Sequence, residues 1–297
     1  MGYLYLTAAL FAGVAKGFCG KTISRDMKSM RECLFINLMR MLFCALIGFL
    51  LALPKAGLSL FSASGSALGI FVLAGLSMST FCVAWMFAYR NEAYMFLSIF
   101  TMLGTVVTCL LDYAVYKTPI SAGEWLGMGV LFGAVLIMSK YNKGIAGRLH
   151  IRGLLILIVG SVGSALADFS QKIYVREIGQ GAEIFNFYMY AFGFLLLFCL
   201  YLFISVRKST PKTAPILYSR HHIGLYFAMA FFLYLNSVTK TMAAGFLSAA
   251  QIYPVLQGAN LILSALMAHL LFKEKMNLKG FCGILTAFTG LMLMHIA

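Results

Sequence analysis

Ten side chains with polar groups stand inside stretches of sequence that are otherwise apolar: Lys16, Asp168, Gln171, Asn236, Lys240, Gln251, Tyr253, Gln257, Asn260 and Ser264. Charges and amides in an apolar medium are expensive unless paired, so such residues mark solute or ion pathways. Lys16 shares a helical face with Gly13, Gly17 and Gly20. Either the glycines leave room for a cavity in which Lys16 meets an anionic group, or they make close helix contacts while Lys16 snorkels to the interface. Asp168 continues a stripe begun by Ser161 and Ser164 and carried on by Lys172. It has three readings: a pair with Lys16 across a cavity, a site for a coupling proton or cation, or an intrahelical pair with Lys172 worth a few tenths of a kcal/mol.

Tyr253, Gln257, Asn260 and Ser264 form a second stripe, with Gln251 and Pro254 near its start. Amides in a bilayer need partners, and a proline loosens the helix, which favours a cavity wall over a helix-to-helix glue. Asn236 and Lys240 lie one turn apart, and Arg40 is a further charge in an apolar run. Trp85, Tyr89, Tyr188 and Tyr190 could stack on a solute, although aromatics near helix ends are more often interface anchors, the expectation for most of the tyrosines and both tryptophans. No catalytic residue is expected. The sequence has no phosphate-binding glycine loop, no nucleophile elbow and no histidine pair at metal spacing. His221 and His222 stand in a basic loop suited to lipid headgroups. An ATP-driven pump is therefore excluded from this chain alone, and neither cofactor nor metal is expected.

The elements that must hold these residues are apolar runs at 2–20, 33–53, 67–89, 93–116, 123–139, 151–171, 182–206, 223–242, 246–272 and 278–295. Runs of roughly 17 to 25 residues match the hydrocarbon core of a bilayer at about 1.5 Å rise per residue. The chain is 62% hydrophobic and 11% charged, with a mean hydropathy of +0.91, too few polar residues to wrap a soluble core of this length. The fold class is all-α integral membrane, with ten transmembrane helices, because unsatisfied backbone cannot face lipid. The net charge of +14 sits in the loops and implies anionic lipid, not nucleic acid. The seven cysteines show no C-x-x-C spacing and lie mostly in apolar runs, so no disulfide framework is expected. The N-terminal run lacks a basic leader and reads as the first helix.

An internal repeat organises these runs. Lys21 to Asp26 lies over Lys172 to Glu177, and the same offset pairs Glu32 with Glu183. A nearby offset pairs Phe96, Leu97 and Ser98 with Phe246, Leu247 and Ser248, and the segment from Lys117 to Gly127 lies over that from Lys273 to Gly283. The expected domains are two five-helix halves, residues 1–145 and 146–297. Five is odd, so the second half enters the membrane inverted, which puts a solute site near the midplane where the halves meet. Alternate loops carry sixteen Lys and Arg against five in the others, which puts both termini outside by the positive-inside rule.

The last hairpin carries Gly258, Asn260 and Ser264 on its first arm, the island Phe272, Lys273, Glu274 and Lys275, and Gly280, Gly283 and Gly290 on its second. This pattern resembles the drug/metabolite transporter superfamily, most closely its EamA-like members and more distantly the small multidrug resistance proteins. Arg40 and Glu274 fall where such proteins often carry an Arg and a Glu, whereas Thr118 stands at the first-half counterpart of the Glu. The resemblance implies termini inside, opposite to the loop count.

The reading is a secondary transporter, not an enzyme, moving a small metabolite or amphipathic compound by alternating access. A membrane enzyme or lipid-handling protein using the same cavity is the alternative, and a non-transporting scaffold a third; the repeat favours transport. Expected partners are a small-molecule substrate, a coupling proton or ion, and membrane lipids. The expected state is a monomer or homodimer, multi-pass in the cell membrane.

Overall fold

The computed structural model describes residues 1–27, 29–91, 94–146, 151–179, 181–206, 220–247, 249–273 and 277–296. Ten α-helices run in order: α1 (Gly2–Ser24), α2 (Met30–Ala56), α3 (Gly65–Asn91), α4 (Tyr94–Tyr116), α5 (Ala122–Ala146), α6 (Ile151–Glu177), α7 (Ala182–Val206), α8 (Arg220–Ala244), α9 (Ala249–Leu270) and α10 (Leu278–Ile296). A short 3₁₀ turn, Gly57–Phe61, follows α2. Among the described residues, nine of these helices are long and apolar enough to cross a membrane, and α9 adds the shorter apolar stretch Val255–Leu270. The outer faces carry Leu50, Phe132, Leu136 and Phe203, all exposed, the inverse of a water-soluble surface and the match to lipid. The chain is an all-α multi-pass membrane protein.

Local chemistry sets the breaks between helices. The Ser29 side chain accepts from the Glu32 amide at 3.2 Å and caps α2. A complete capping box opens α5: the Ser121 amide donates to Glu124 Oε2 at 2.7 Å, and the Glu124 amide donates to Ser121 Oγ at 3.1 Å. Asn277 caps α10 by accepting from the Gly280 amide at 3.0 Å. At the other ends, Lys117 (φ 55°) and Gly179 (φ 66°) take left-handed backbone and close α4 and α6. Several helices outrun the apolar segments that mark them, α1 by reaching Ser24 and α5 by reaching Ala146. The extra turns keep their backbone hydrogen bonds while Lys and Arg stems reach the interface.

The main helix contacts cross between the first five helices and the last five. Helix α1 packs on α8 and α6 on α3; α2 packs on α8 and α7 on α3; α1 packs on α9 and α6 on α4. Helices α2 and α7 pair with each other, as do α4 and α9, and α5 and α10. Exchanging each helix for the one five places along returns these pairs.

Glycine makes the tightest of them possible. A Cβ on Gly127 of α5 would lie 2.5 Å from the Gly290 carbonyl oxygen of α10, and one on Gly290 would lie 2.9 Å from that of Gly127. Backbone cannot yield as a side-chain tip can. Gly127→Val is therefore expected to cost at least about 1 to 3 kcal/mol of overpacking. A lower melting temperature and aggregation on size exclusion would show it, and an unchanged profile would contradict this packing.

Candidate functional site

Six helices leave a gap at the middle of the bundle. Helices α1, α3, α4, α6, α8 and α9 wall a cavity of about 80 Å³, room for a handful of waters at roughly 10–15 Å³ each. Among the described residues, none on α2, α5, α7 or α10 lines its wall.

Small residues on α1 make the space. A Cβ on Gly13 would stand 3.2 Å from Asn236 Nδ2, and Gly17 also lines the wall. Asn236 Nδ2 in turn donates to the Ala9 carbonyl at 2.6 Å, tying α8 to α1 beside the cavity. The cavity is flanked at both ends by apolar clusters. Toward the N-terminal end of α1 lie Leu6, Ala9, Ala243, Ile252 and Leu256, with Tyr5 and Leu247 against them. Toward the opposite side lie Trp85, Tyr89, Phe96, Leu97 and Leu157. The Tyr89 ring there packs on Gly20, 2.8 Å from where a Cβ would be.

Seven of the ten predicted residues come together on this wall: Lys16, Asp168, Asn236, Lys240, Gln257, Asn260 and Ser264. Gln171 does not join them; it is buried elsewhere on α6, and its Nε2 lacks a hydrogen-bond partner among the described residues. The side chains of Gln251 and Tyr253 lie outside the described residues, as does Glu274.

Asp168 has neither of the partners its sequence neighbourhood suggests. Its Oδ1 accepts from Lys240 Nζ on α8, with side-chain exposures of 8% and 12%. Lys172 turns away to Asp112 of α4. Lys16 has no ion pair or hydrogen bond among the described residues; its Nζ sits 5.8 Å from the centre of the Phe81 ring, a cation–π contact. The pairing follows from helix packing. The α6 stripe meets α8 across the cavity, while Lys172, one turn further along, meets α4 beyond it. The wall therefore holds two cations and one carboxylate. Asn260 Oδ1 is a buried acceptor without a hydrogen-bond partner; leaving such an atom unmade costs about 1–3 kcal/mol and calls for an explanation.

Several wall residues were not among those picked from sequence. Phe81 faces the cavity from α3, and Ser98, Thr101 and Ser237 add hydroxyls; Trp85 and Tyr89, read from the sequence as able to stack on a solute, and Ser164 of the α6 stripe stand beside them. Trp85, expected at the lipid interface, is only 5% exposed and belongs to the wall, whereas Trp125 is 54% exposed. Tyr190 is spent on structure, its hydroxyl 2.5 Å from Ser237 Oγ, and the Tyr188 hydroxyl donates to the Leu60 carbonyl at 2.5 Å. His222 Nε2 is 3.3 Å from Asp26 Oδ2, a protein partner where a headgroup was expected. Among the described residues no three His, Cys, Asp or Glu side chains gather as a metal site would need.

Comparison with known proteins fits this architecture. A solved crystal structure, described only as that of a protein, superposes with a TM-score of 0.64 over 98% of this chain and 95% of its own, at 10% identity. At that identity the likeness shows the fold alone. No curated protein matches the chain. A family model described as the EamA-like transporter family matches residues 151–296. Those residues run from α6 to α10 and carry Asp168, Lys240, Gln257, Asn260 and Ser264 of the wall. Over those residues the chain matches the EamA-like transporter family, part of the drug/metabolite transporter superfamily, whose members are membrane transporters.

Proposed function

We propose that this chain is a secondary transporter that moves a small polar or amphipathic metabolite through the central cavity by alternating access. The observation that carries the reading is the composition of the cavity wall: three helices from residues 1–145 and three from 146–297 surround one set of polar side chains. The two halves are inverted repeats in this reading, which the exchange pattern of helix pairs supports. At about 80 Å³ the cavity must enlarge before a metabolite fits. The apolar clusters at its ends are the natural gates, Leu6 to Leu256 on one side and Trp85 to Leu157 on the other. The Asp168–Lys240 pair is the coupling element, since a proton or cation arriving at Asp168 competes with Lys240. The cell membrane is its place.

Counterflow in proteoliposomes, screened over a panel of small metabolites, tests this directly. At least one solute is expected to exchange saturably above empty liposomes; none exchanging, with the protein folded, would refute transport. Orientation has its own check. Sixteen loop cations against five put the termini outside, so a periplasm-active reporter fused after residue 297 is expected to be active. A reporter active only in the cytoplasm would reverse the orientation.

A further inference from the structure

Arg40 of α2 is 4% exposed. Its Nη2 donates to Asn37 Oδ1 at 2.5 Å, and its Nη1 approaches Met229 Sδ at 3.6 Å. Its Nε is buried without a partner, and among the described residues no carboxylate pairs with it. A guanidinium shut into a bundle ordinarily finds an acid, because an uncompensated buried charge is among the costliest features a fold can carry. Lys16 is in the same position: the nearest carboxylate of the cavity, Asp168, is already held by Lys240. The two cations share one space. Lys16, Arg40, Phe81, Cys82, Trp85 and Tyr89 line a spur of about 10 Å³, whose Lys16, Phe81, Trp85 and Tyr89 also face the main cavity.

We infer that Lys16 and Arg40 form an oxyanion subsite that takes the carboxylate or phosphate group of the transported solute. This rests on the reading of the main cavity as the solute site. The missing counter-charge is one an anion supplies: the free Nε–H of Arg40 and the ammonium of Lys16 offer charge-assisted donors to the same oxygen-bearing group. The spur is the size of about one oxygen, not of a whole metabolite. The rest of the solute lies in the main cavity, within reach of the unpartnered Asn260 Oδ1, which favours a solute that also carries a hydrogen-bond donor. Phe81 and Trp85 thin the water around the cations and so strengthen their pull.

Trp85 is the built-in reporter. In the Trp125→Phe protein it is the sole indole, and iodide, an anionic quencher, can be compared with neutral acrylamide in the full chain in nanodiscs. Iodide is expected to quench saturably, about tenfold more weakly after Lys16→Gln, while acrylamide quenching stays the same in both. Propionate and inorganic phosphate are the competitors; displacement by propionate assigns the carboxylate form, by phosphate the phosphate form. Arg40→Gln is expected to weaken iodide as well; should it fail to fold, Lys16→Gln carries the test alone. Linear iodide quenching that Lys16→Gln leaves unchanged, or displacement by neither competitor, would overturn the subsite. Because binding is read without transport, the two readings fail separately. Exchange of neutral solutes without anion binding removes the subsite and leaves the transporter; anion binding without exchange of any solute leaves the subsite and removes transport.

Discussion

Asp168→Asn is expected to destabilise the protein by about 3 to 5 kcal/mol, because it strands a buried ammonium. The side chains of Asp168 and Lys240 are 8% and 12% exposed, so water does little to replace the lost partner. The double variant Asp168→Asn with Lys240→Met removes both charges and is expected to recover most of the loss, since replacing a whole buried pair is often neutral. Thermal unfolding in detergent, run on the parent and both variants in parallel, reads the difference. Transport should fail in both variants if the pair couples solute movement. A single variant as stable as the parent would mean that Lys240 has another counter-charge. A double variant that transports at the parental rate would make the pair structural.

Asn260→Leu has the opposite signature. Its Oδ1 is buried without a hydrogen-bond partner, so replacing the amide by an apolar group of similar size removes an unsatisfied acceptor and is expected to leave stability unchanged or slightly raised. The polar wall loses a buried acceptor that has no hydrogen-bond partner among the described residues. A site built to hydrogen-bond its ligand discriminates steeply when the bond cannot form, so transport should fall by roughly a hundredfold or more. Counterflow at matched incorporation, with melting temperature as the control for folding, measures both. Transport that survives with a lowered melting temperature would place Asn260 in helix packing.

Much of the cavity was readable from the sequence because its residues break the apolar pattern. Lys16, Asp168, Lys240 and Asn260 are conspicuous in a chain with 11% charged residues, and helical spacing alone puts Gln257, Asn260 and Ser264 on one face. Pairing was not readable. Asp168 has Lys172 one turn away and Lys16 near its repeat equivalent, yet it bonds Lys240, seventy-two residues on, because α6 meets α8 across the cavity. Local spacing measures proximity along one helix and says nothing about which neighbour faces it. Gln171 shows the same limit in reverse: a polar residue in an apolar run, three places from Asp168, that the helix turns away from the wall.

The aromatic wall was legible only in part. Trp85 and Tyr89 sit near the end of α3, where belt residues also sit, and composition cannot separate a ring facing lipid from one facing a cavity. Gly20 is the sequence signal that could have done so, since it marks the close approach of α1 that receives Tyr89. Gly127 and Gly290 mark the α5 and α10 contact in the same way. Arg40 was visible as a charge in an apolar run. That no carboxylate among the described residues pairs with it follows only from how the helices place the acids around it.

The most direct measurement is the accessibility of one wall position from both faces of the membrane. Cys199 and Cys282 are the exposed cysteines among the described residues; with both replaced by Ser, Gln257→Cys places a reactive thiol on the cavity wall. A membrane-impermeant maleimide is applied to sealed vesicles of each orientation. The account predicts labelling of Gln257→Cys from both sides, each slowed when the counterflow solute saturates the opposite face. Labelling from one face only, at every solute concentration, would contradict alternating access through this cavity.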